Sequence, residues 1–199
     1  IEAEKLKQQL SLNLLQQQVN PHFLYNTLDN ICALAELDEK ETLIQLVMNL
    51  SSFYRSSLSN GKMHISIGQE LEISRAYLEI LQIRYFHKFD FTITCPEALK
   101  NYSCIKLLLQ PILENSIYHG IKGLDRHGIL HIEAEDTGDC IRFTISDNGR
   151  GFSKEDYEKI WQQDADHFGI KSIQQRILLY YGPGYGLSME SPQTGGCIT

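Results

Sequence analysis

Four short segments of this 199-residue chain combine residue types that could do chemistry. The first runs Gln16-Gln17-Gln18-Val19-Asn20-Pro21-His22-Phe23-Leu24-Tyr25-Asn26. A proline inside a helix removes one backbone hydrogen bond and clashes with the preceding turn, at a cost of ~3 kcal/mol. It bends the helix, frees a carbonyl one turn back and leaves His22 at the bend. Asn20 and Asn26 flank the imidazole at short helical spacing, and either could fix its orientation by hydrogen bonding. A histidine so placed could equally be a packed or surface group beside a kink. In the second segment, Leu107 to Gly120, the adjacent polar pair Glu114-Asn115 interrupts an apolar helix. A buried carboxylate and amide need partners, which Mg²⁺ and phosphate oxygens could supply; both could also sit on a wet face.

In the third segment, Ile145-Ser146-Asp147-Asn148-Gly149-Arg150-Gly151-Phe152, an alternating apolar run ends in an aspartate followed by two alternating glycines. The glycines let backbone approach a ligand closely. An ionised Asp147 only accepts hydrogen bonds, which suits an exocyclic amine such as that of adenine. A plain Asp-Asn-Gly turn would look the same. The fourth segment is Phe168-Gly169-Ile170-Lys171-Ser172-Ile173-Gln174-Gln175-Arg176. Gly169 opens a helix whose first N–H groups and positive end make an anion site, with Lys171 adding charge. An ordinary helix start is the alternative. Each of the last three segments is weak alone; their order and the strands between them make the signal.

The elements that must position these groups fall into two sets. In the first, Leu6, Leu10, Leu14, Leu24, Leu28 and Ile31 recur at helical spacing, as do Leu43, Leu46, Val47, Leu50 and Tyr54 between Thr42 and Leu58. The polar stretch Glu36–Glu41 reads as a tight connection. One such hairpin cannot bury both apolar stripes, and pairing two into a four-helix bundle can, so a homodimer is expected. Ser59-Asn60-Gly61-Lys62 reads as a turn or linker, giving domains 1–62 and 63–199.

Beyond the linker, helices are expected over Gln69–Tyr85, Ile105–His119 and Ile170–Tyr181. Strands are expected over Phe89–Cys95, Leu130–Glu135, Ile141–Ser146 and Leu187–Glu190, with a last strand cut short at Thr199. Helices on one face of a one-sided sheet make an α/β sandwich, so the chain as a whole is α+β.

Composition narrows the function classes. Lys and Arg total 18 against 25 Asp and Glu, a net charge of −7, which argues against broad electrostatic binding to nucleic acid. No apolar run of about 18 residues exists to cross a membrane. No secretory signal pattern is seen. The five cysteines are odd in number and lack C-x-x-C spacing, which speaks against a disulfide framework or zinc site. A chain opening on Ile1 is expected to be a piece of a longer protein.

Together the segments resemble the LytS/YesM-type bacterial sensor histidine kinases. Asn20-Pro21-His22-Phe23-Leu24-Tyr25-Asn26 is similar to the family's phosphoacceptor helix, and Glu114-Asn115 within Leu107–Gly120 to its N box. Asp147-x-Gly149-x-Gly151 is similar to its G1 box, and Gly169 with the helix to Arg176 to its G2 box. Gly195-Gly196-Cys197-Ile198-Thr199 resembles the start of the last glycine-containing strand. The resemblance implies a dimeric histidine phosphotransfer hairpin followed by an ATP-binding domain of the fold shared with gyrase, Hsp90 and MutL. By that likeness His22 accepts the γ-phosphoryl group of ATP and Asn26 orients the ring. Asn115 coordinates Mg²⁺ through the ATP phosphates, with Glu114 beside it, and Asp147 binds the adenine amine. Gly149, Gly151 and Gly169 shape the nucleotide pocket, with Lys171 at its phosphate end. The segment Phe152–His167 forms the lid, in which Ser153 to Asp156 starts a short helix.

The implied partner is the receiver aspartate of a response regulator. The implied setting is the cytoplasmic portion of a protein anchored in the inner or plasma membrane. The chain departs from the family pattern at five places. Phe23 follows the histidine where an acid is common, and Pro111 stands four before Asn115 where a second Asn is common. Tyr118, with His119 next, takes the place of a basic residue that grips the nucleotide. His167 and Ser172 replace a glycine and an asparagine of the G2 box. Those departures keep open a non-catalytic nucleotide-sensing dimerisation module. An ATPase clamp, with Glu114 activating water, is the third reading.

Overall fold

The computed structural model describes residues 21–57, 63–161, 168–192 and 196–198. The leucines at 6, 10 and 14, the Gln16–Asn20 part of the histidine segment with its expected bend, the Ser59–Lys62 linker, His167, Gly195 and Thr199 lie outside these residues. The chain divides into two compact units, Ile1–Gly61 and Lys62–Thr199.

The first unit contains helix α1, Pro21–Glu36, and helix α2, Lys40–Ser57. The turn between them follows from the end of α1. Asp38 takes a left-handed φ of +58°, which an Asx side chain tolerates better than most. The Glu39 N–H then reaches back to the Leu34 carbonyl at 3.0 Å, and the Asp38 N–H to that of Ala35 at 3.3 Å. This pair of bonds caps the last carbonyls and reverses the chain. Phe23, Thr27, Leu46 and Phe53 form the buried seam, with the Phe23 and Phe53 rings 5.4 Å apart. The expected apolar stripe is only partly covered: Leu28 and Val47 are 43% exposed each, and outside the stripe Tyr25 is 67% and Met48 66% exposed.

The second unit opens with strand β1, His64–Ser66, and helix α3, Ile67–Arg84. Ser66 and Gln69 form a reciprocal capping box at the start of α3. Ten residues of this helix are buried, around more than one face, which marks it as the central helix. Strand β2, Phe89–Thr94, pairs in parallel with strand β4, Gly128–Asp136. Strand β5, Ile141–Asp147, pairs antiparallel with β4, and strand β6, Cys197–Ile198, antiparallel with β5, so the sheet order is β2-β4-β5-β6. Leu130, Ile132 and Ala134 of β4 turn inward, while Ile129, Glu133 and Glu135 face solvent. This is the one-sided sheet of an α+β sandwich.

The apolar run from Ile105 to His119 differs from its reading as one helix. Ser103–Ile105 is strand β3, antiparallel to β1, and α4 covers only Gln110–Asn115 before a single π-helical turn, Ser116–Ile121. Periodicity gave way to long-range pairing: Ile65 lies opposite Cys104, and the Lys106 N–H bonds the Met63 carbonyl at 2.9 Å. Nor do Leu187–Glu190 form a strand; a single bridge residue, Glu190, is all that remains of it. The Leu187 N–H is taken instead by the side-chain oxygen of Gln174 at 2.7 Å. Helix α5, Lys154–Trp161, starts where expected, and helix α6, Phe168–Tyr181, packs against α4 and α5. No helix among the described residues is long and apolar enough to cross a membrane.

Candidate functional site

The alternation of β5 decides where its last residue points. Asp147 lies opposite Leu130 and shares the inward face with Ile145 and Phe143. Its carboxyl is therefore aimed under the helices rather than into solvent. Oδ1 accepts the Gly149 N–H at 2.8 Å, whereas Oδ2 is buried with no hydrogen-bond partner among the described residues. Burial pushes the Asp147 carboxyl above its ordinary range, opposed chiefly by the Gly149 amide.

The next turn is pinned in place. The Asn148 side chain accepts the Ile129 N–H at 2.7 Å and donates to the His127 carbonyl at 3.1 Å, so it prolongs the β4–β5 ladder. Gly149 follows because nothing larger fits. A Cβ there would stand 2.6 Å from Asp147 Oδ1 and 2.7 Å from the Gly120 Cα. Gly151 has a φ of +70° and lies against Ser191 and Gly196, positions that exclude a side chain.

On the opposite wall, the π-helical turn resets the spacing after Asn115. The Lys122 N–H reaches the Ile117 carbonyl five residues back, at 2.8 Å. Asn115, Ser116, His119 and Gly120 thereby come to one side, facing Asp147, Arg150, Gly151 and Phe152, with Asp156 of α5 and Cys197 of β6 closing the cleft. The cleft encloses about 90 Å³. Ser153 and Asp156 cap α5 reciprocally: the Asp156 N–H donates to Ser153 Oγ, and the Ser153 N–H to Asp156 Oδ2, each at 3.1 Å.

Four of the expected nucleotide residues, Asn115, His119, Asp147 and Gly151, line this cleft, and Gly149 packs closely against Asp147 and Gly120. Glu114, Gly169 and Lys171 do not line it. Glu114 follows the other side of α4, where its charge acts on Tyr77 and Tyr85 and burial raises its own carboxyl. Gly169 stands where a Cβ would lie 3.5 Å from that of Pro111, so α6 begins against α4. Tyr118 also points away: its hydroxyl accepts from Arg84 at 3.0 Å, and the Lys122 ammonium lies 5.4 Å from its ring centre. Reading by helical period missed Ser116 and Gly120, because their place follows from the π turn; Arg150 and Cys197 were given no role, and Phe152 and Asp156 were expected only as part of the lid segment.

His22 and Asn26 lie in the first unit. His22 is exposed beside buried Phe23, and Asn26 follows one turn later with its amide nitrogen buried and unpaired among the described residues.

Comparison with known proteins finds two family models along the chain. The model of the Histidine kinase family matches residues 10–89. That of the Histidine kinase-, DNA gyrase B-, and HSP90-like ATPase family matches residues 102–192. The sensor histidine kinase YesM of Bacillus subtilis is 31% identical over 98% of this chain, which spans 33% of the relative's length. BtsS of Escherichia coli, another sensor histidine kinase, is 33% identical over 91% of the chain and 31% of its own length. The chain thus spans about a third of these curated relatives. Among solved structures, the histidine kinase ThkA in complex with the response regulator protein TrrA matches 99% of this chain and 63% of its own. The TM-score is 0.52 at 14% identity, which speaks to the fold. With both family models on successive parts of the chain and these relatives across nearly its whole length, the chain belongs to the histidine kinases.

Proposed function

We propose that this chain is the kinase portion of a two-component sensor: it binds ATP in the Asp147 cleft and transfers the γ-phosphoryl group to His22. The observation that carries this reading is the buried Oδ2 of Asp147, without a hydrogen-bond partner among the described residues, where Gly149 meets Gly120. A buried acceptor without a donor is costly, and an adenine amine supplies the missing donor. A carbonyl in that place, as on guanine, would repel it.

Among the described residues no group of three or more His, Cys, Asp or Glu is placed to hold a metal ion. The Asn115 side-chain oxygen fits a metal whose other ligands are phosphate oxygens, and it lines the same cleft as Asp147. When bound, Mg²⁺ would spread the charge that develops on the phosphates. At about 90 Å³ the cleft is smaller than ordinary ligand pockets of about 300–1,000 Å³. Arg150 at the cleft supplies positive charge, which suits a polyanionic ligand.

For the transfer itself, the unprotonated ring nitrogen of His22 forms the N–P bond as the bridging P–O bond to the β-phosphate breaks and ADP leaves. A neutral imidazole already carries the lone pair needed near neutral pH, so Phe23 in place of an acid does not stop the step. Asn26, one turn on with an amide nitrogen unpaired among the described residues, is suited to orient the ring.

The open apolar residues of the hairpin, Tyr25, Leu28, Val47 and Met48, suit pairing with a second copy in a four-helix bundle. A response regulator aspartate is the acceptor we infer for the phosphoryl group, supported by the ThkA complex. We place this portion on the cytoplasmic side of a longer, membrane-anchored sensor. The test is incubation with γ-labelled ATP and Mg²⁺ beside His22→Ala. Acid-labile label in the wild-type protein alone supports the assignment; equal label in both defeats it.

A further inference from the structure

Two charged side chains are buried outside the cleft and bond the same loop. Glu70 of α3 is fully buried, and Arg176 of α6 is 4% exposed. Such groups survive in a core only when their hydrogen bonds are satisfied. Both bond one loop, Lys106–Leu109, which joins β3 to α4, although Arg176 Nε has no hydrogen-bond partner among the described residues. Glu70 Oε2 accepts the Leu107 N–H at 2.8 Å, and Oε1 accepts the Leu109 N–H at 2.9 Å. From the other side, Arg176 Nη1 donates to the Leu107 carbonyl at 3.1 Å and Nη2 to the Lys106 carbonyl. One carboxylate thus takes the donors of the loop, and one guanidinium fork takes its acceptors.

The loop needs this grip for two reasons. Leu107 is left-handed, with φ +54°, a conformation an L side chain resists. Leu109, at the start of α4, has no side-chain cap of its own. Glu70 therefore acts as a remote cap for a helix it does not belong to. What α4 carries makes the grip more than a core requirement. Asn115 ends α4, six residues after Leu109, and faces the cleft. The first turn of α6 lies against Pro111 of the same helix. Glu70 and Arg176 thus tie together α3, the entrance to α4, and α6.

We propose that Glu70 and Arg176 are a pair of positioning residues that set the N-box helix against α6, and so hold the phosphate and metal side of the nucleotide site while leaving the adenine side alone. This rests on the nucleotide-binding reading above. The adenine side is built on β5 and its following turn, by Asp147, Asn148 and Gly149, none of which bonds the clamp. A clamp acting only on stability would weaken every ligand alike. One acting on position alters MgATP and adenosine unequally.

The experiment measures the dissociation constants of MgATP and of adenosine by displacement of a fluorescent ATP analogue, on the full chain and on E70Q and R176K. Gln keeps the shape of Glu but has one acceptor oxygen, so one loop amide loses its partner. Lys keeps the charge of Arg but cannot fork to two carbonyls. In folded variants, MgATP should weaken about tenfold while adenosine stays within about twofold of wild type. Equal weakening of both ligands, or no change in either, overturns the proposal. If E70Q does not fold, R176K is judged by the same ratio; if neither folds, the pair is a folding determinant and the positioning role is refuted. Wild-type protein that binds neither ligand would sink the nucleotide reading itself, and this proposal with it, a result distinct from an unchanged ratio.

Discussion

Asp147→Asn changes a single atom, and the structure says what that atom would do. Oδ1 of Asp147 is committed to the Gly149 N–H at 2.8 Å. In the amide only the oxygen accepts, so it must stay on Gly149 and the NH₂ must take the place of Oδ2. A donor then faces the amine of adenine, itself a donor. Loss of a hydrogen bond to a charged acceptor costs about 1.5–3 kcal/mol, and an unsatisfied buried donor adds about 1–3 kcal/mol. A conservative total of about 3 kcal/mol corresponds to roughly 100-fold in Kd. The same amide complements a carbonyl, so ITP, which carries oxygen in place of the amine, should lose much less and come to bind better than ATP. Competition between the two nucleotides reads this directly. Burial disfavours the ionised carboxyl of Asp147, so the variant should melt no lower than wild type at neutral pH. Equal losses for ATP and ITP in a stably folded D147N protein would refute the reasoning.

Further outcomes follow from the same geometry. Acidification should weaken ATP binding as Asp147 takes up its proton; because burial raises that carboxyl, the loss begins at a higher pH than for an ordinary aspartate near about 3.9. In D147N a pH titration of affinity should lose that step. Gly149→Ala places a methyl 2.6 Å from Asp147 Oδ1 and 2.7 Å from the Gly120 Cα, so it should cost about 1–3 kcal/mol of stability and abolish ATP binding, read by thermal melts with and without nucleotide. Phe23→Ala removes the ring packed on Phe53 and should cost the helical hairpin about 3–5 kcal/mol, seen as early loss of far-UV circular dichroism. Unchanged melting in F23A would show that the seam between α1 and α2 contributes little.

Much of the fold was legible because local pattern and tertiary structure agree. The alternation of β4 and β5 survives as buried and exposed faces, and it alone puts Asp147 inward. The caps at Ser66 and Ser153 mark real helix starts, although only the second was read from the sequence. Where the reading failed, the cause is a bond to a distant residue. The largely apolar stretch from Ile105 to Leu109 looks helical, yet Glu70 and Arg176 hold Lys106–Leu109 as a loop. The π turn is invisible to a search at helical spacing, so Ser116 and Gly120 were missed while Asn115 and His119 were found. Glu114 sits beside Asn115 in sequence but faces another way, since neighbours on a helix point about 100° apart.

The central claim is chemical: His22 is the residue that carries the phosphoryl group. After incubation with MgATP, phosphorus NMR of the intact chain combined with mass-spectrometric mapping tests it most directly. The account requires an acid-labile N–P signal that maps to His22 and disappears in His22→Ala. A stable phosphoryl group mapped to any other residue, or the same signal surviving in that variant, would contradict it.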